Sequence, residues 1–107
     1  MEHINKIEIQ GTIGTIRTMA ISDEMVANMS VATEYIYKNK AGDAIVETTW
    51  HMVVVWGNTT KTDLTRLEKG MKVHIVGRVR QTKYIGSDGL EKTFQEVIAH
   101  EFEIIDD

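Results

Sequence analysis

Trp50 and Trp56 are the chain's two tryptophans, and both lie in Glu47–Gly57, which reads E-T-T-W-H-M-V-V-V-W-G. β-branched and aromatic residues fill that stretch and Gly57 ends it, the pattern of a strand. Alternation sends Trp50, Met52, Val54 and Trp56 to one face and His51, Val53 and Val55 to the other. At about 3.3 Å per residue the two indoles stand roughly 20 Å apart on a shared face. Three valines fit a fully buried strand. Two indoles fit it less well, because each carries an N–H that needs a partner when buried. The face therefore reads either as core or as a surface on which flat ligands stack.

Other chemistry is thin. There is no cysteine, which excludes disulfides, thiolate catalysis and Cys-based zinc sites. His3, His51, His74 and His100 are widely spaced and lack the i, i+4 or paired spacing of a metal site, so neither metal nor cofactor is expected. The acids are spread through loops and the C-terminal end, with no Ser/His/Asp arrangement and no phosphate loop, so no enzyme is expected. Twelve basic against sixteen acidic residues give a net charge of −4, which argues against holding nucleic acid mainly by bulk charge. Four of the acids, Glu101, Glu103, Asp106 and Asp107, crowd the last seven residues. Screening limits charge effects to about 8 Å at physiological salt, so local placement outweighs the total.

The elements that must position these residues are short strands. His3–Gly14 reads as a first strand, with Gly11 and Gly14 as a bulge or bend. Thr15–Asp23 continues it or forms a loop, ending in a turn at Ser22-Asp23-Glu24. Met25–Lys38 is a second strand, with Tyr35 and Tyr37 on one face by parity. Asn39–Asp43 connects it to the third strand, Glu47–Gly57. Asn58–Gly70 changes period: Leu64 and Leu67 are three apart, Thr60 or Thr62 can cap, and Lys69-Gly70 can close a short helix. Met71–Tyr84 is a fourth strand with Gly77 as a bend. Gly86–Gly89 is a hairpin turn, and Lys92–Ile105 is a fifth strand in which Phe94 and Phe102 read as core. Proline is absent, leaving the turns to Gly, Asn and Asp. One domain over 1–107 is expected, since the length suits a single core. No apolar run approaches the ~20 residues of a membrane span, and the N-terminus shows no signal region, which fits a cytoplasmic protein. Three strands, one helix and two strands are the ordering of an all-β, five-stranded OB-fold barrel with one short helix between strands 3 and 4.

Ordered blocks then carry a family likeness. Ala27–Thr33, A-N-M-S-V-A-T, resembles the A-N-F-S-V-A-T segment of bacterial single-stranded DNA-binding proteins. Glu47–Gly57 resembles their E-T-E-W-H-x-V-V-x-[FW]-G block, and Lys69–Val79 resembles K-G-x-x-V-x-V-x-G-R-L. Thr82-Lys83-Tyr84 followed by Asp88-Gly89 is similar to their aromatic-tipped hairpin. The likeness runs from about Asn5 to Ile105.

The resemblance implies the OB barrel and sequence-independent binding of single-stranded DNA, protecting it in replication, recombination or repair. It places the base-stacking aromatics on Tyr37, Trp50, Trp56 and Tyr84, and the backbone contacts on Lys69, Arg80 and Lys83. Arg17, Lys38, Lys40, Lys72 and Arg78 are positioned to supplement them. His51 matches a histidine near the family's subunit interface, and a homotetramer or dimer of dimers is implied. There are departures. Thr15–Met19 replaces an acidic D-P-E segment, and Asn58 stands where a basic residue is usual. The family's Gly/Pro/Gln-rich linker and acidic tail have no counterpart here, so tail-dependent recruitment of partners is not expected. The competing expectation is an OB-fold protein-interaction adaptor in replication restart, with weak or no DNA binding.

Overall fold

The computed structural model describes residues 1–105; Asp106 and Asp107, part of the acidic end, lie outside the described residues. Five strands carry the fold: β1 Ile7–Ile21, β2 Glu24–Lys38, β3 Ala44–Trp56, β4 Lys72–Ile85 and β5 Glu91–Ile105. They close a barrel in the order β1-β2-β3-β5-β4, and β4 returns to pair with β1. Every pairing is antiparallel except β3 with β5, which is parallel and extends over Val53↔Val97 and Val54↔Ile98. This is the all-β, five-stranded OB arrangement that the sequence pattern predicts. No described helix is long and apolar enough to cross a membrane.

Alternation builds the core. Ile9 and Ile13 of β1, Met29 and Val31 of β2, Val53 and Val55 of β3, Val73 and Ile75 of β4, and Val97 and Phe102 of β5 face inward and are buried together. Apolar burial of this kind contributes roughly 25 cal/mol per Å². Leu64 and Leu67 join the same core from the β3–β4 connection.

Glycines shape the curve where backbones cross closely. Pairing slips between Ile13↔Val31 and Thr15↔Ser30, so Gly14 is the extra residue of a bulge, and β1 continues beyond it to Ile21. At Gly77 a Cβ would lie 2.1 Å from the Ile98 carbonyl oxygen, so only glycine fits beside the second register slip. Ser22 and Asp23 both have positive φ, 47° and 69°, the two-residue turn whose twist suits a hairpin.

The expected helix over 58–70 is replaced by two single 3-10 turns, Gly57–Thr59 and Leu64–Arg66. The polar residues between them explain why. The Thr60 hydroxyl donates to the Phe102 carbonyl at 2.9 Å and accepts from the Thr62 N–H at 3.1 Å, which fixes an extended backbone there. Hydroxyl side chains that bond backbone in this way compete with helix. The cap is Asp63 rather than Thr60 or Thr62: its carboxylate accepts from the Thr65 N–H at 3.0 Å and the Thr65 hydroxyl at 2.6 Å. Those bonds hold the Asp63 carboxyl below its ordinary pKa.

Candidate nucleic-acid interface

Strand register defines the outward surface. Trp50 stands opposite Ala32, Met52 opposite Ser30, Val54 opposite Asn28 and Trp56 opposite Val26. Across the parallel junction Val54 meets Ile98. Ile98 then meets Arg78, Glu96 meets Arg80, Phe94 meets Thr82 and Lys92 meets Tyr84. On the other side Arg17 stands opposite Asn28, and Thr12 stands between Ala32 and Lys72. One transverse row therefore reads Arg17, Asn28, Val54, Ile98, Arg78, and another reads Lys72, Thr12, Ala32, Trp50. Four interstrand steps of about 4.8 Å put Arg17 and Arg78 roughly 19 Å apart along the sheet.

Of the expected site residues, Trp50, Trp56, Lys72, Arg78, Arg80 and Tyr84 share this outward face. Lys69 adjoins it: the Gly70 N–H donates to the Ile13 carbonyl at 2.8 Å, which seats Lys69 at the β1 edge beside Gly14. Tyr37 and Lys83 do not share it. Tyr37 pairs with Ile45, and Lys83 pairs with Thr93, on the opposite strand parity. Tyr37 lies against Tyr35, with ring centroids 6.0 Å apart, on the parity that also carries His51.

The two indoles differ. Trp50 is 58% exposed, whereas Trp56 is partly buried against Val26, Val54 and Ile98, a small apolar cluster outside the barrel core. The indole of the apolar cluster is therefore Trp56, and Trp50 is the exposed one. Trp50 lies over Gly14, where a Cβ would come within 2.3 Å of its Cζ3. Gly14 is therefore a notch that seats the ring. Tyr84 is 47% exposed and meets Phe94 edge-to-face, with centroids 5.7 Å apart. Phe94, expected in the core, is exposed on the outward face, while Phe102 is buried as expected. Counting from the Gly86–Gly89 turn would have found this, since Ile85↔Glu91 sets Thr82↔Phe94 on the same parity as Tyr84. Met52, exposed between the two indoles, also belongs to the face.

The cations divide by partner. Arg80 donates through Nε to Glu96 Oε1 at 3.0 Å and also through Nη2. Lys83 sits 3.6 Å from Glu91, and Lys92 sits 3.5 Å from Asp88. Arg17, Lys69 and Arg78 have no carboxylate partner among the described residues. Beside the sheet a groove of ≈ 240 Å³ opens where β3 and β5 part, lined by Ile7, Trp50, His51, Met52, Val79 and Glu96 among others. In it the His51 Nε2 lies 2.9 Å from the Thr33 hydroxyl. Away from this groove His74 lies 2.7 Å from Glu8 and 3.5 Å from Glu103. No three His, Asp or Glu side chains among the described residues converge as a metal site would require.

The chain matches the model of the single-strand binding protein family over residues 4–105. It is 30% identical over 105 residues to a single-stranded DNA-binding protein of Neisseria meningitidis, covering 95% of this chain and 60% of the relative. It is 31% identical over 104 residues to a protein of the same name from Xanthomonas campestris, covering 95% and 60%. The chain thus spans about 60% of the length of these curated relatives. Among solved structures it superposes on the Plasmodium falciparum SSB in complex with ssDNA with a TM-score of 0.79 at 22% identity, covering 99% of this chain and 98% of that one. A deletion mutant of the single-stranded DNA binding protein from Thermus aquaticus gives 0.75 at 17% identity, covering 96% and 51%.

Proposed function

The chain belongs to the single-strand binding protein family, and from that premise we propose that its outward face binds single-stranded DNA without regard to sequence. The observation that carries the reading is the continuous outward register: an exposed Trp50, with Met52 and the Tyr84–Phe94 pair, bordered by Arg17, Arg78 and Lys69. Stacking suits this task because every base has a π-face, and each stack is worth about 1–3 kcal/mol by truncation. The cations border the aromatic patch at a spacing that suits a backbone passing over it. Tyr37, off this face, extends the path along the β2–β3 hairpin, where Tyr35, Ile36 and Val46 are also exposed. Trp56 contributes an edge to the surface while anchoring the outer cluster.

The protein so read is a single binding domain rather than a catalyst, works in the cytoplasm, and protects single strands during replication, recombination or repair. Self-association as a homotetramer, or dimer of dimers, supports that role, with His51, on the parity opposite Trp50, facing a second copy. The test is fluorescence anisotropy with a labelled oligo(dT) strand and with a duplex of equal length. Tight binding of the single strand and weak binding of the duplex are expected. No binding of the strand at low salt by correctly folded protein would favour the adaptor reading instead.

A further inference from the structure

The binding face carries a buried anion. Glu96 is nine-tenths buried on the outward parity of β5, directly opposite Arg80, which is half exposed. A single oxygen, Glu96 Oε1, accepts from Arg80 Nε at 3.0 Å, from Arg80 Nη2, and from the Thr82 hydroxyl at 3.1 Å. A buried carboxylate is tolerated only when paired and hydrogen-bonded, and these three donors supply that. We propose that Glu96 is a resident counter-charge that cancels Arg80, so that Arg80 offers DNA an oriented hydrogen-bond donor but not a counterion.

This rests on the single-stranded DNA reading above and adds how the face is tuned. A guanidinium has five N–H donors. Two are turned to Glu96, and the exposed remainder can meet a phosphate oxygen without breaking the pair. The charge of the pair is nil, so a phosphate laid there releases no net counterion. The rest of the β4–β5 hairpin follows the same plan, with Lys83 beside Glu91 and Lys92 beside Asp88. Arg78, two residues before Arg80 on the same face and without such a partner, is left to neutralise phosphate. The device biases the face toward stacking and away from salt-sensitive attraction.

The test is the salt dependence of oligo(dT) affinity. Each phosphate neutralised on a single strand steepens the log–log slope by about 0.7. Glu96→Gln keeps an oxygen for Arg80 and Thr82 and removes only the charge. It should steepen the slope by about 0.7 and tighten binding at low salt. An unchanged or shallower slope in a variant with a native circular dichroism spectrum would overturn the proposal. A second variant covers the case in which Glu96→Gln does not fold. Arg80→Met with Glu96→Gln removes both charges and strands no buried ion, and it should keep the wild-type slope. A slope shallower by about 0.7 would show that Arg80 neutralises a phosphate in the native protein, and the proposal would fall. If the wild-type protein shows no binding at all, it is the reading of the face that fails, which is a different result from a bound strand with the wrong slope.

Discussion

Trp50 and Trp56 differ in what surrounds them, and substitutions should separate them. Trp50→Ala removes an exposed ring and should weaken oligo(dT) binding by about 1–3 kcal/mol with little change in melting temperature. Trp56→Ala opens the cluster of Val26, Val54 and Ile98, so it should lower stability by about 3 kcal/mol or more, read by urea denaturation. Gly14→Ala would drive a methyl group into the Trp50 ring, displacing it or the bulge. Oligo(dT) affinity should fall although no contact group is removed, and stability should drop by about 1–3 kcal/mol through overpacking. Parity placed the indoles on one face from sequence alone. It could not tell core from surface at each, because that depends on the outward apolar cluster that Ile98 and Val26 build from other strands.

At the scale of elements, the strands were legible because alternation and glycine-bearing turns are local signals. The stretch 58–70 was not, because the hydrogen bond from Thr60 to Phe102 spans 42 residues and overrides a local helical period. Phe94 departs from the expected core position for a similar reason: its exposure follows from hairpin register, not from its own neighbours. The β3–β4 connection also carries a pH signature. Asp63 is held below its ordinary pKa by the Thr65 hydroxyl and N–H. A depressed folded pKa adds stability above the unfolded value of about 3.9, and that stability is lost as pH falls through the folded pKa. Asp63→Asn should therefore be less stable than wild type near pH 6, with the gap in urea midpoint closing below about pH 4. A gap that stays constant with pH would assign the cap to packing alone.

Over the whole molecule, a net charge of −4 coexists with an outward face on which Arg17 and Arg78 share parity with Trp50 and Tyr84. Composition argues against holding nucleic acid mainly by bulk charge; register places Arg17 and Arg78 on the outward face and sets Arg80 beside Glu96. His51 lies on the parity of β3 opposite Trp50, away from the outward face. Light scattering at micromolar concentration should report a tetramer, and His51→Ala should shift it toward smaller species. The central claim, that Trp50 is a stacking platform for single-stranded DNA, is tested most directly in a Trp56→Phe variant, where Trp50 is the only indole left. Titrated with oligo(dT) at low salt, its emission should fall steeply and saturate in step with binding followed by anisotropy. Binding that leaves the Trp50 emission unchanged would contradict the account.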